Sequence, residues 1–481
     1  MKKHLGINKA HISKSISGIY APLRANSGII AGAVAGFVVS FALQINFAVP
    51  LFILLSAIYL KSLYKDLSGR PYRLLNLSFL FVLITVASYI IIKQGGSAFY
   101  IPFCTVPMLA IILFNELVVS LVLTVACAVA VSSISGNNFY LGMLFLANGI
   151  LSILLAKGVR KRNTIIRAGL ILGAAQAFSL FLISYFRIDN PKSYFILFGN
   201  GVACGIIVLG VLSIFEYLFG TITNITLLEL ADFNHPILNR MMLEAPGTYH
   251  HSLIVGNLSE AACGIVGANS LLARIGAYYH DIGKIQKPEY FSENQSITSN
   301  KHDNLAPTMS KLVIMNHVKE GVEMAKRYRL NPRLIDFIQL HHGNSLVYYF
   351  YRRALETLEE DQEVKEEGFR YAGPRPNTKE TAVVMLADSV EAATRALKEP
   401  TPAKIEEVVH KIINNKFIDG QLDECDLTLK DLEKISSVFI RILGGIYHSR
   451  VNYPDEKVQS NGKKPAKEAS HQPEENKKPG I

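Results

Sequence analysis

The chain of 481 residues has no tryptophan, only five cysteines and a charged fraction of just 18 %. Each shortage excludes something. Cys104, Cys127, Cys204, Cys263 and Cys425 lie far apart with no C-x-x-C spacing, which argues against both a disulfide framework and a thiolate zinc site. The soluble part therefore reads as cytosolic. So few charges in a chain that is half hydrophobic exclude a disordered or fibrous protein. They exclude an ordinary soluble one too, because the apolar residues crowd into the first 220 positions. The net charge of +10 could suggest nucleic acid, but much of it sits beside hydrophobic segments, where membrane orientation is the simpler cause.

What is present in that first part is a series of apolar runs. A hydrocarbon core of about 30 Å needs roughly 20 apolar residues per helix. Eight runs approach that length: Ser27–Leu43, Phe47–Leu60, Leu74–Ile92, Phe99–Phe114, Leu117–Ser135, Phe139–Ala156, Ala168–Phe186 and Tyr194–Phe215. About 26 polar and basic residues precede the first and no cleavage pattern follows it, so no signal peptide is expected. Fourteen basic residues fall on one side of these runs, among them Lys61, Arg73, Arg160 and Arg162, against Lys93, Arg187 and Lys192 on the other. The positive-inside rule then places the N-terminus and, after an even number of spans, the C-terminal domain in the cytoplasm. Ionisable residues are nearly absent from mid-span, with Glu116 and Glu216 at edges, so a pump or ion pathway is not expected. Small residues such as Gly28, Gly32 and Gly36 fit close helix packing, within one chain or in a homodimer.

Beyond position 220 the apolar residues recur at helical spacing through Leu253–Val266, Leu271–Ile282, Met309–Tyr328, Arg333–His341, Ala382–Leu397, Ile405–Phe417 and Leu429–Tyr447. Alternating patterns are scarce, so the expected fold class is all-α: a polytopic transmembrane helical bundle followed by a cytosolic all-helical domain. The expected divisions are a cytoplasmic N-terminal segment at 1–26, the membrane domain at 27–220, the soluble domain at 221–453 and a disordered tail at 454–481, rich in Lys, Glu, Pro, Ser and Asn. The juxtamembrane stretch Thr221–Glu244 is expected to be helical until Pro236, with a break at Pro246 and Gly247. Glu359–Glu367 is a charge run that suits a solvated loop or helix face.

Seven residues interrupt these helices where an apolar face or a helix end is expected: His251, His280, Asp281, His317, His341, His342 and Asp388. Singly each has an ordinary explanation as a core histidine or a helix cap. Together they are the mixture of imidazole and carboxylate that divalent transition metals of intermediate softness bind. His280 and Asp281 are adjacent, and a carboxylate can bridge two ions while its neighbour holds one. The helices carrying AYYHDIGK and QLHHGNS are expected to end at Gly283 and Gly343, putting both groups at C-termini where the dipole favours cations. Asp388 follows the apolar run VVMLA, where an unpaired carboxylate would be costly and a metal would compensate it. Spacing does not choose between His250 and His251. A second His-Asp pair, His302-Asp303, lies in the polar stretch SNKHDNLAP and reads as a decoy.

The order H, HD, H, HH, D resembles that of the HD-domain metal-dependent phosphohydrolases. The words APGTYHHS, GAYYHDIGK, LAPTMSKL, NHVKEGVEMA, MLADSVEAA and DGQLDECDLTLKDL resemble more closely the membrane-bound branch, the PgpH-type cyclic di-AMP phosphodiesterases, with about seven transmembrane helices ahead of the HD domain. The likeness runs from the first span to about Tyr453 and is densest from Glu244. It implies that the metal ligands are His251, His280, Asp281, His317, His341, His342 and Asp388, with Asp281 bridging. It also implies that Lys284 is catalytic and faces substrate phosphate, and that His342 lies on the substrate side. Two manganese or iron ions and opening of cyclic di-AMP to linear pApA are implied as well.

Two departures stand out. Only Gln44–Phe47 separates the first two runs, where family members carry an extracellular sensor domain, so regulation through such a domain is not expected. Gly343 and Asn344 follow the HH pair with no GYP motif nearby, which lowers a cyclic di-GMP reading. The expected protein is thus a phosphodiesterase on the cytoplasmic face of the plasma membrane. Its partners are a cyclic dinucleotide and the bilayer, without a nucleic acid polymer. The competing readings are an HD hydrolase of another nucleotide, a non-enzymatic membrane receptor with a structural metal site, and, disfavoured by the lack of intramembrane charge, a transporter.

Overall fold

The computed structural model describes residues 72–185, 190–295, 300–356 and 364–447, and Val38. Apart from Val38, the expected runs Ser27–Leu43 and Phe47–Leu60 lie outside the described residues, as do the segment 1–26, Gly28, Gly32, Gly36 and the tail from Pro454. Among the described residues there is no strand, only one bridge between Leu346 and Arg370, and the chain is all-α.

Five helices are long and apolar enough to cross a membrane. They are α1 (Tyr72–Lys93), α3 (Leu117–Ile134), α4 (Phe139–Ala156), α5 (Arg162–Ile183) and α6 (Pro191–Phe219), with the short α2 (Thr105–Phe114) between the first two. The expected run Phe99–Phe114 is therefore interrupted. It forms a 3₁₀ turn at Ala98–Tyr100, an extended residue at Ile101 (φ −66°, ψ 118°), and only then ten residues of α-helix. Pro102 explains this, since it has no N–H to donate and disfavours helix at the residue before it. Ten residues rise about 15 Å, half a hydrocarbon core. All of α2 except Ile112 is buried, so the half-length helix is enclosed by its longer neighbours.

Helices α5 and α6 approach most closely through small residues. Gly169 and Gly173 on α5 face Gly201 and Gly205 on α6, two G-x-x-x-G pairs in register. A Cβ on Gly201 would overlap the backbone of Gly173, whereas one on Gly210 would meet nothing.

At 29 residues α6 rises about 43 Å, more than a bilayer core, and its last turn enters the junction with the second half. There the buried Glu216 carboxylate accepts from Thr223 N (2.8 Å) and from Thr226 Oγ1 (2.8 and 2.9 Å), fixing the start of α7 (Asn224–Leu230). Arg162, at the start of α5, pairs with Glu229 through two hydrogen bonds of 2.7 and 3.1 Å. The expected end of helix at Pro236 is reversed, because Pro236 opens α8 (Pro236–Glu244), a first-turn position where its missing N–H costs nothing. The break at Pro246 shrinks to Ala245, and Pro246 opens α9 (Pro246–Ile265).

The remaining helices are α10 (Ser270–Tyr279), α11 (Pro307–Arg327), α12 (Pro332–Leu340), α13 (Tyr348–Glu356), α14 (Lys379–Arg395), α15 (Pro402–Ile418) and α16 (Leu429–Tyr447). Helix α13 was not anticipated from spacing. Much of the Glu359–Glu367 charge run, residues 359–363, lies outside the described residues. Two apolar cores flank the place where α9, α10 and α14 meet. One gathers Val255, Leu258, Val384, Leu386 and Phe439, the other Leu227, Ile237, Tyr279 and Ile338.

Replacing Gly201 by Val should force α5 and α6 apart at a cost of about 1–3 kcal/mol, the usual range for overpacking. The melting temperature of the detergent-solubilised protein should fall for Gly201→Val and stay near wild type for Gly210→Val. Equal melting of the two variants would contradict this packing.

Candidate metal centre

Each candidate ligand reaches the meeting point of the helices by a different local device. His251 lies on the buried face of α9, while its neighbour His250 is exposed, which resolves the choice that spacing left open. Helix α10 ends at Tyr279, earlier than Gly283, so His280 is the C-cap residue and Asp281 opens the 3₁₀ turn Ile282–Gln286. Gly283 serves close approach. A Cβ there would overlap the carbonyl of His317 on α11. His317 is mid-helix, His341 is the C-cap of α12, and His342 follows before the left-handed Gly343 (φ 54°). Asp388 follows the fully buried run Ala382–Ala387 of α14.

The tautomers follow from what lies behind each ring. Nδ1 of His280 donates to Ala277 O (2.7 Å), that of His317 to Ile314 O (2.6 Å) and that of His341 to Ile338 O (2.9 Å). Nδ1 of His251 is hydrogen-bonded to the buried carboxylate of Glu391. Every Nε2 is thereby turned to the centre. Nε2 of His317 and His341 are 3.2 Å apart, and with both Nδ1 hydrogens committed elsewhere, two lone pairs face each other when both rings are neutral.

Asp281 sits between two sets of these atoms. Its Oδ1 is 3.3 Å from His317 Nε2 and 3.6 Å from His341 Nε2. Its Oδ2 is 3.2 Å from His280 Nε2 and 3.7 Å from His251 Nε2. Asp388 Oδ1 stands 3.1 Å from His251 Nε2, and its Oδ2 is 3.7 Å from His342 Nδ1. Two ligand groups result, His317 with His341 and His342, and His251 with His280, Asp281 and Asp388. Donors about 2.1 Å from a common ion lie roughly 3.0–3.5 Å from one another, close to these separations. His280 Nε2 and Asp281 Oδ1 are buried without a hydrogen-bond partner, a state that a cation would relieve, while Asp281 Oδ2 has the Lys284 ammonium 2.7 Å away. The residues present therefore fit divalent metal on both faces of Asp281.

Charge is arranged accordingly. Burial opposes charge on His280, but Asp281 and Asp388 outweigh it and raise its pKa to about 10. His251 is likewise raised, burial being outweighed by Asp388 and Glu391. Burial, helped by His341, pushes His317 down to about 4 and His342 well below the usual imidazole range. Asp281 is held well below the carboxylate range because His280 and Lys284 outweigh its burial. Lys284 Nζ lies 2.7 Å from Asp281 Oδ2 and 2.8 Å from Glu293 Oε1, so the expected phosphate-facing lysine is committed to two carboxylates. His302 is buried, against the reading of a loose polar loop, but it bonds Tyr290 O (2.8 Å) and belongs to neither ligand group.

Beside the ligands opens a cavity of about 530 Å³, walled by Tyr290, Phe291, Tyr349, Phe350 and Tyr371. The Tyr371 ring stacks on His342 with centroids 4.4 Å apart. Glu293, Tyr371, Glu391 and Arg395 were not singled out from sequence. Glu391 had a signal, an acid one turn beyond Asp388 in a helix otherwise apolar on that face.

Two family models match the chain: one described as a 7TM receptor with intracellular HD hydrolase, over residues 25–223, and the HD domain, over residues 248–393. The chain belongs to this family of membrane-bound HD-domain proteins. Within it, the chain is 37 % identical over 403 residues to the cyclic-di-AMP phosphodiesterase PgpH of Bacillus subtilis, covering 82 % of this chain and 56 % of that one. It is 38 % identical to PgpH of Listeria monocytogenes over 391 residues, covering 80 % and 54 %. The chain thus spans about half the length of the curated relatives it matches. The crystal structure of the Listeria PgpH HD domain in complex with cyclic-di-AMP is 48 % identical, covers 45 % of this chain and all of that one, and aligns with a TM-score of 0.43.

Two outcomes test the centre. Because His280 is raised to about 10, it holds a proton at neutral pH without metal, and a bound cation must displace it. Titration of Mn²⁺ at pH 7.5 in buffers of different ionisation enthalpy should show proton release, with affinity falling as pH drops. Binding without proton release would contradict the ligand set. Separately, Gly283→Ala should push α11 away from Asp281 and lower Mn²⁺ affinity tenfold or more, while Gly368→Ala, where a Cβ meets nothing, should not.

Proposed function

We propose that the protein is a metal-dependent phosphodiesterase that hydrolyses cyclic di-AMP to linear pApA. The single observation that carries this reading is Asp281, whose two oxygens each face a separate group of imidazoles beside an open aromatic cavity. The ligands are His251, His280, Asp281 and Asp388 on one face and His317, His341 and His342 on the other. Two divalent ions, manganese or iron, would supply Lewis-acid charge neutralisation at phosphorus and an acidified water. The chain's own residues hold and orient. Asp281 joins the two ligand groups, Lys284 places positive charge beside it, and Tyr371 presses His342 into position from the cavity side. Hydrolysis forms a bond between the water oxygen and phosphorus and breaks the bond from phosphorus to the 3′ oxygen, which takes up a proton. The choice of cyclic di-AMP rests on the names of the two curated relatives.

The reading also assigns a membrane face. The basic turn that ends at Arg162 contacts Glu229 of α7, so it lies on the side of the HD half. By the positive-inside rule that side is cytoplasmic, in a multi-pass plasma-membrane protein. Eight spans, and a homodimer packed through small residues, complete the proposal.

Detergent-purified protein with Mn²⁺ should convert cyclic di-AMP to pApA, read by chromatography. Asp281→Ala should lose both activity, to background, and bound metal while still inserting in the membrane. A metal-loaded, active Asp281→Ala protein would overturn the site. Turnover of a different nucleotide in a panel, with none of cyclic di-AMP, would overturn the substrate.

A further inference from the structure

The cavity beside the ligand cluster contains two cations among the described residues, Lys284 and Arg395, and they are differently placed. The Lys284 side chain is 13 % exposed and its ammonium is shared between Asp281 and Glu293. The Arg395 side chain, in the last turn of α14, is 34 % exposed. Among the described residues its one directed hydrogen bond runs from Nη1 to Glu391 Oε1 at 3.3 Å. Glu293 Oε2 stands 3.8 Å from Nη2, an ion pair too long for a hydrogen bond. A guanidinium has five donors in a planar fork suited to phosphate, and Arg395 brings that fork to the cavity wall.

The surroundings hold that fork at a fixed distance from the ligands. Glu391 ties Arg395 to His251, and Glu293 ties it to Lys284 and so to Asp281, in a closed ring of alternating charges around the cavity floor. Arg395 is thus outside the ligand cluster yet braced against it from two sides. A cyclic dinucleotide carries two phosphodiesters in one macrocycle. If the ligand cluster grips the one being cleaved, the other must lie elsewhere in the same cavity, and its charge needs a partner.

We infer that Arg395 is the docking cation for the second phosphodiester of a cyclic dinucleotide, the one that is not cleaved. This rests on the phosphodiesterase reading above and deepens it. A substrate with a single phosphodiester has nothing to place there, so Arg395 discriminates between one-phosphate and two-phosphate substrates.

The test compares wild type, Arg395→Gln and Arg395→Lys as full-length Mn²⁺-loaded protein on cyclic di-AMP and on bis(p-nitrophenyl) phosphate. Bound manganese is measured by mass spectrometry alongside. In Arg395→Gln the ratio of kcat/KM for cyclic di-AMP to kcat/KM for the monodiester should fall tenfold or more, chiefly through KM for cyclic di-AMP. Arg395→Lys keeps the charge without the fork and should give an intermediate ratio; it carries the test should the Gln variant not fold. An unchanged ratio, or an equal fall on both substrates with loss of manganese, would overturn the inference and make Arg395 a support of Glu391 and His251 only. Wild type that cleaves the monodiester but not cyclic di-AMP would instead overturn the substrate reading, and the role of Arg395 with it.

Discussion

Four imidazoles commit their Nδ1 hydrogens to acceptors behind them, three to backbone carbonyls and one to Glu391, and four Nε2 atoms are left converging on two carboxylates. Electrostatically the arrangement calls for positive charge between these atoms, supplied by protons or by metal. Burial strengthens that demand, because water cannot screen the carboxylates. The rest of the HD half holds that convergence. Two apolar cores brace α9, α10 and α14 from either side, and Gly283 lets α11 close to backbone contact so that His317 reaches Asp281.

The helix that leads into the His-Asp pair also connects to the membrane half. Tyr279, fully buried and one residue before His280, donates its hydroxyl to Leu230 O of α7 at 2.8 Å. Helix α7 is in turn held by Glu216 at the end of α6 and by Arg162 at the start of α5. The ligand pair and the last two membrane helices are therefore linked by a short series of buried or bidentate polar contacts.

Much of this was legible in the sequence. Charge-free runs of membrane length betray themselves because lipid tolerates little else, and five of them are helices at nearly the expected bounds. The all-α class followed from helical spacing beyond position 220. All seven candidate ligands meet at one place, because buried imidazoles and carboxylates stand out against apolar helix faces. What escaped were features set by backbone donors and by tertiary partners. Pro102 interrupts a run that hydrophobicity alone reads as one span, and Pro236 opens a helix that it was expected to close. Gly283 was read as a helix terminator, whereas its real constraint is the carbonyl of His317, a contact across 34 residues that no local pattern reveals. Glu391, Glu293 and Arg395 look like solvated charges in one dimension and become a bracing ring only once the helices pack.

The central claim is that Asp281 joins two cations in one buried cluster. Electron paramagnetic resonance of the manganese-loaded protein, at a metal content measured in the same sample, addresses it most directly. The account predicts two ions per chain and the multiline spectrum of an exchange-coupled pair, lost in Asp281→Ala. A single ion with an isolated six-line signal, or manganese that survives removal of the Asp281 carboxylate, would contradict it.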